Sequence, residues 1–167
     1  MRSTAEVIRT ETAINTVVTA VIAALITWLL FRGRGPVPLF GLPGGALFGI
    51  VPGTFNFSLL VTLVLTLVIR GRVRRRACAS AGERTGVHAL LPANVLLRAL
   101  LLAGAMTLLL VPSGYALAWL ITHGAPAPAW RLPALTLFYV VYFAVLALIL
   151  TPLVVARALR DTASAPA

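Results

Sequence analysis

The side chains in this sequence that could do chemistry are few and widely spaced. Arg98 lies inside an apolar run, six residues after Pro92. A guanidinium there costs on the order of 3 kcal/mol at the centre of a bilayer and less near its surface, so it snorkels, takes a carboxylate or holds a headgroup. The expected carboxylate is Glu11, at the start of the first apolar run, which would make an intramembrane Glu11–Arg98 pair. Asn56, Tyr115, Tyr139 and Tyr142 stand toward one end of their runs, with Thr54 and Ser58 beside the amide. Amides and phenols converging from several helices would form a small polar cavity. The same residue types also serve as interfacial anchors and interhelical hydrogen bonders.

The missing groups narrow the chemistry further. No Asp, Glu or His occupies the middle third of an apolar run, where proton-coupled transport usually keeps one. The runs hold no serine with a histidine base, no metal-binding histidine pair and no phosphate-cradling glycine loop. His88 and His123 stand apart, and Cys78, the sole cysteine, can form neither an intrachain disulfide nor a cysteine zinc site. This inventory argues against an enzyme and against a bound cofactor or metal.

Two spacings suggest surfaces that hold helices together. Gly41, Gly45, Gly49 and Gly53 recur every four residues, which on a helix is a single stripe. A stripe without side chains lets another backbone approach closely, as small-xxx-small faces do in lipid. A turn-rich loop would also gather glycine and proline here, so both readings stand. Thr12, Thr16 and Thr19, continued by Ala23 and Thr27, follow helical spacing along the first run. They predict a packing face whose hydroxyls bond to their own backbone or to a neighbour, or else the lining of a polar pathway.

The elements that would position these residues are read from hydropathy. Of 167 residues, 60% are hydrophobic and 11% charged, against about a quarter charged in soluble domains. Even a domain of about 150 residues buries only about 70% of its unfolded surface, so lipid must solvate much of this one. Crossing a core of about 30 Å takes about 20 apolar residues in a helix. Four runs qualify, at about 13–31, 43–69, 93–121 and 132–156. They must be helical because every backbone group needs a partner inside lipid, and they lack the alternation of a barrel strand. The fold class is therefore all-α: a polytopic membrane protein with a four-transmembrane-helix bundle, one integral membrane domain spanning 1–167. Pro52 and Pro112 interrupt two long runs, and kinked helices are preferred to re-entrant pieces over 39–51 and 115–122.

Charge predicts the orientation. All 14 basic residues are arginine, opposed by Glu6, Glu11, Glu83 and Asp161, for a formal charge of +10. The connection 70–91 holds Arg70, Arg72, Arg74, Arg75, Arg76 and Arg84, whereas the others hold Arg32 and Arg34 or Arg131. The dense loop belongs in the cytoplasm, which puts both termini there (N-in, C-in). Trp28, Trp119 and Trp130 then fall at the outer interface. Arg70, Arg72, Arg74, Arg75 and Arg76 would also bind anionic lipid headgroups, each worth about 1 kcal/mol. Because the arginines flank apolar runs instead of forming a polar face, nucleic acid is not an expected partner.

These features predict a small protein of the bacterial inner (plasma) membrane, the bacterial source being read from arginine replacing lysine throughout. It would act through helix packing, as an accessory or assembly subunit or a self-associating bundle. Its partners would be the lipid bilayer and either further copies or another membrane protein. The alternative is a small oligomeric transporter or channel.

Overall fold

The computed structural model describes residues 4–41, 45–76, 92, 94–122 and 129–163, without the side chains of 72–76 and 162–163. Its elements in order are α1 (Thr4–Phe31), β1 (Val37–Pro38), a 3₁₀ turn (Ala46–Gly49), α2 (Ile50–Arg76), α3 (Val95–Ile121), β2 (Ala129–Trp130) and α4 (Leu132–Ala163). Among the described residues, four helices are long and apolar enough to cross a membrane. The all-α architecture fits a multi-pass membrane protein.

The helices overrun the apolar runs that mark them. α1 begins at Thr4, α2 continues through the arginine run to Arg76, and α4 reaches Ala163. Hydropathy marks the length that lipid would cover, whereas a helix continues as long as its sequence favours it, and arginine and alanine are strong helix formers. The expected loop 70–91 therefore starts as helix. At the other end, α3 opens on Asn94, whose side chain accepts from the backbone N–H groups of Leu96 and Leu97. That bond satisfies donors that a helix start leaves unpaired.

Proline positions differ between the helices. Pro112 lies inside α3, which is one continuous helix, so 115–122 is not a separate re-entrant piece. Pro152 lies inside α4. Each removes one N–H from the helix ladder. Pro52, by contrast, is the third residue of α2, where the missing N–H has no intrahelical carbonyl to lose. The stretch from Val37 to Gly49 is not the start of a long helix. Its described residues form the two-residue strand β1, a bend at 39–40 and the 3₁₀ element Ala46–Gly49, with Leu39 and Leu47 fully buried.

α4 is the central element. Half of its most apolar window is buried, compared with 17% for α1. α1 packs along α4, while α2 packs against both α3 and α4. At one end of the structure Ile8 of α1 packs beside Ile69 of α2 and Val155 of α4. At the other end β1 pairs antiparallel with β2, Val37 opposite Trp130, tying the chain after α1 to the chain before α4. A cluster built on Leu39, Leu47, Leu135 and Tyr139 fills that end, and Leu102, Met106, Leu146 and Leu150 pack the middle. Where lipid is as apolar as leucine, close packing and interhelical hydrogen bonds hold such helices together, not the hydrophobic effect.

Candidate functional site

The densest polar cluster joins α2, α3 and α4. Arg98, in the first turns of α3, is fully buried. One of its terminal nitrogens donates to the Asp161 carboxylate at 2.7 Å and the other to the Thr66 hydroxyl at 3.2 Å. Arg70, one turn beyond Thr66 on α2, donates to the same carboxylate oxygen at 2.7 Å. Arg157, one turn before Asp161 on α4, approaches its other oxygen at 3.3 Å. An acid in the last turn of a helix opposes the helix dipole. Here Asp161 is held by three guanidiniums.

This geometry corrects one expectation and adds to another. The carboxylate that meets Arg98 is Asp161, not Glu11, because α3 packs on α2 and scarcely touches α1. Arg70, grouped with the headgroup-binding arginines, places one guanidinium nitrogen on Asp161 and stays partly exposed. The side chains of Arg72, Arg74, Arg75 and Arg76 lie outside the described residues, as do Cys78, His88 and His123.

A second polar feature runs up α2 from this cluster. Thr54, Ser58, Thr62 and Thr66 recur every fourth residue and are all fully buried. Four-residue spacing puts them on one face over about 18 Å. Thr66 receives Arg98, and Thr54 shares a hydrogen bond of 2.8 Å with the Tyr142 hydroxyl of α4. The Ser58 and Thr62 hydroxyls between them have no hydrogen-bond partner among the described residues. The signal was present as four small hydroxyl residues at one spacing, but it was hidden among the leucines and valines of an apolar run.

The residues of the expected polar cavity divide between a packed cluster and a groove. Tyr142 is buried toward α3, close enough to Gly114 that a Cβ there would lie 2.8 Å from its ring. Tyr115 packs its ring 6.2 Å from that of Phe40. Tyr139 donates to the Ala46 carbonyl. Asn56 faces elsewhere: with Tyr139 it lines a separate groove of about 700 Å³ between α1 and α2, floored by Tyr139 and Phe143 of α4. Asn56 and Tyr139 therefore share one groove, while Tyr115, Tyr139 and Tyr142 belong to one packed aromatic cluster.

The glycines divide by position in the same way. Gly41 has a φ of +129°, and Gly45 is extended, so neither continues a helical stripe. Gly45 is needed because a Cβ would lie 2.8 Å from the backbone of Leu39 and Phe40. At Gly49 and Gly53 a Cβ would meet the Tyr139 hydroxyl at 3.3 Å and the Phe143 ring at 3.1 Å. Glycine here admits rings from α4, not a second helix backbone.

On α1, Thr19, Ala23 and Thr27 are the buried residues, and the Thr12 and Thr16 hydroxyls are covered without a hydrogen-bond partner among the described residues. Thr27 bonds back to the Ala23 carbonyl at 2.7 Å. The interhelical bond on this face comes from Asn15, whose amide donates to Thr151 of α4 at 2.7 Å. Among the described residues no group of three or more His, Cys, Asp or Glu could hold a metal ion. No protein-family model, curated protein or solved structure matches the chain.

Proposed function

We propose that this chain is a multi-pass protein of a bacterial inner membrane that works through helix packing, as an accessory or assembly subunit or a self-associating bundle. Both termini and the arginine-rich connection lie in the cytoplasm on this reading, and the β1–β2 end faces outward. One observation carries it. The side chains best able to do chemistry make bonds from helix to helix: Asn15 to Thr151, Thr54 to Tyr142, and Arg70 and Arg98 to Asp161. Groups committed in this way hold a shape and leave little for turnover, which supports a non-enzymatic role with no cofactor. Gentle extraction followed by native mass measurement tests it. A fixed multimer or one stoichiometric companion is the expected result; a monomer that captures nothing from its own membrane would overturn it.

The hydroxyl ladder on α2 favours a second reading, a small transporter or channel. Ser58 and Thr62 offer polar groups without a hydrogen-bond partner among the described residues, midway between Tyr142 and Arg98. On that reading, protein in liposomes conducts or takes up a solute, and Thr62→Val reduces the flux. Silent liposomes exclude it.

A further inference from the structure

The groove between α1 and α2 has the dimensions of a single hydrocarbon chain. From Asn15 to Phe31, both of which line it, α1 rises about 24 Å. The groove encloses about 700 Å³ over that length, and one extended acyl chain fits along it.

The polar groups along the groove mark which molecule that chain belongs to. Its walls are apolar, with Ile22 and Ile26 on α1 facing Leu60 and Val64 on α2. Arg34, at its β1–β2 end, is the charged residue lining it, and no carboxylate does so among the described residues. The turn after α1, with Gly33 at a φ of +77°, brings the Arg34 guanidinium back to 5.8 Å from the Phe31 ring. Trp28 lies nearby, stacked under Arg32 at 4.9 Å, at the level where tryptophan marks a headgroup zone.

Asn56 supplies the second observation. It is exposed to the groove and makes no hydrogen bond among the described residues. A bare amide in hydrocarbon costs several kcal/mol, so it calls for an acceptor or donor from outside the chain. It follows Gly49 by seven residues, about 10 Å along the helix, and its side chain leans back toward the helix start and Arg34.

We propose that this groove binds one anionic phospholipid, its phosphate on Arg34, an ester carbonyl accepting from the Asn56 amide, and one acyl chain between α1 and α2. The proposal rests on the membrane location but not on any partner subunit, so it can fail while helix packing stands. The test is native mass measurement of the full chain released from nanodiscs that hold phosphatidylglycerol and phosphatidylcholine with matched acyl chains.

The expected result is one retained lipid with a clear preference for phosphatidylglycerol. Arg34→Gln should reduce that preference about tenfold, the size of one charge-assisted hydrogen bond. Arg32→Gln, whose charge lies over Trp28, should leave it intact. Asn56→Leu should weaken retention of both lipids alike, and excess inorganic phosphate should not displace the bound molecule. Circular dichroism of each variant separates a lost lipid from a lost fold; Arg34 is exposed, so its replacement leaves the helices folded. Equal retention of the two lipids, a preference unchanged in Arg34→Gln, or a lipid-free dimer occluding the groove would each overturn the proposal.

Discussion

Removing the Asp161 carboxylate should be the most damaging single change in the chain. The acid accepts bonds of 2.7 Å from both Arg70 and Arg98 and lies 3.3 Å from Arg157. Arg98 is fully buried and its Nε already lacks a hydrogen-bond partner among the described residues. In Asp161→Ala it would keep only Thr66, leaving a guanidinium between three helices without an opposing charge. Breaking a buried pair from one side typically costs about 3–5 kcal/mol, most of it the stranded charge. The reverse change should cost far less, because in Arg98→Met the carboxylate still has Arg70 and Arg157. Methionine also fills much of the volume, so about 1 kcal/mol is expected.

The double variant should recover at least about 2 kcal/mol of the Asp161→Ala loss, since Arg70 and Arg157 are partly exposed and can turn outward. Reversible unfolding by a denaturing detergent in mixed micelles, followed by circular dichroism, reads all three variants. The reasoning is refuted if the two single changes cost the same, or if Asp161→Ala falls within about 0.5 kcal/mol of wild type, the range of an ordinary surface substitution.

Further expectations follow from close contacts and from charge. Gly114→Val should lose about 1–3 kcal/mol in the same unfolding assay because its new Cβ meets the Tyr142 ring at 2.8 Å, whereas Gly104→Ala, with open space around it, should be neutral or stabilising. Gly45→Ala should shift the 39–41 backbone, seen as faster hydrogen exchange at the Leu47 amide that donates to Leu39, with the α4 amides unchanged. Thr54→Val should cost about 1 kcal/mol through the lost Tyr142 bond, and Thr62→Val, whose hydroxyl has no partner among the described residues, should cost nothing or stabilise. For the orientation, a membrane-impermeant maleimide applied to intact cells should label Gly35→Cys and spare Cys78; the opposite pattern would invert the topology.

What hydropathy could convey, it conveyed well. Four apolar runs separated by breakers and arginine match four helices, because lipid leaves a backbone no other way to satisfy its hydrogen bonds. It could not give their ends, since Arg70 to Arg76 and Thr4 to Thr12 continue as helix beyond the apolar stretch. Nor could it separate a glycine stripe from a glycine-rich crossing. The spacing of four holds equally for Gly41 and Gly45, which bend the chain, and for Gly49 and Gly53, which lie under α4 rings.

The partner of Arg98 shows where such reading stops. Glu11 and Asp161 are both acids at the same end of the structure, so chain order and length allow either. The choice rests on which helices are neighbours and on the rotation of each about its axis. In a soluble helix the polar face reports that rotation. In α3 it does not, because leucines point outward to Leu101 and Leu109 as readily as inward to Leu102. The informative residues are the small and hydroxylated ones. Ala99 and Ala103 are fully buried on α3, and Thr62 and Thr66 on α2. Read as inward-facing markers, they turn Arg98, one residue before Ala99, toward Thr66 and hence toward Arg70 and Asp161. In an apolar helix, rotation is thus encoded by where side chains are small, and a buried charge follows from that face more surely than from which acid shares its end of the bundle.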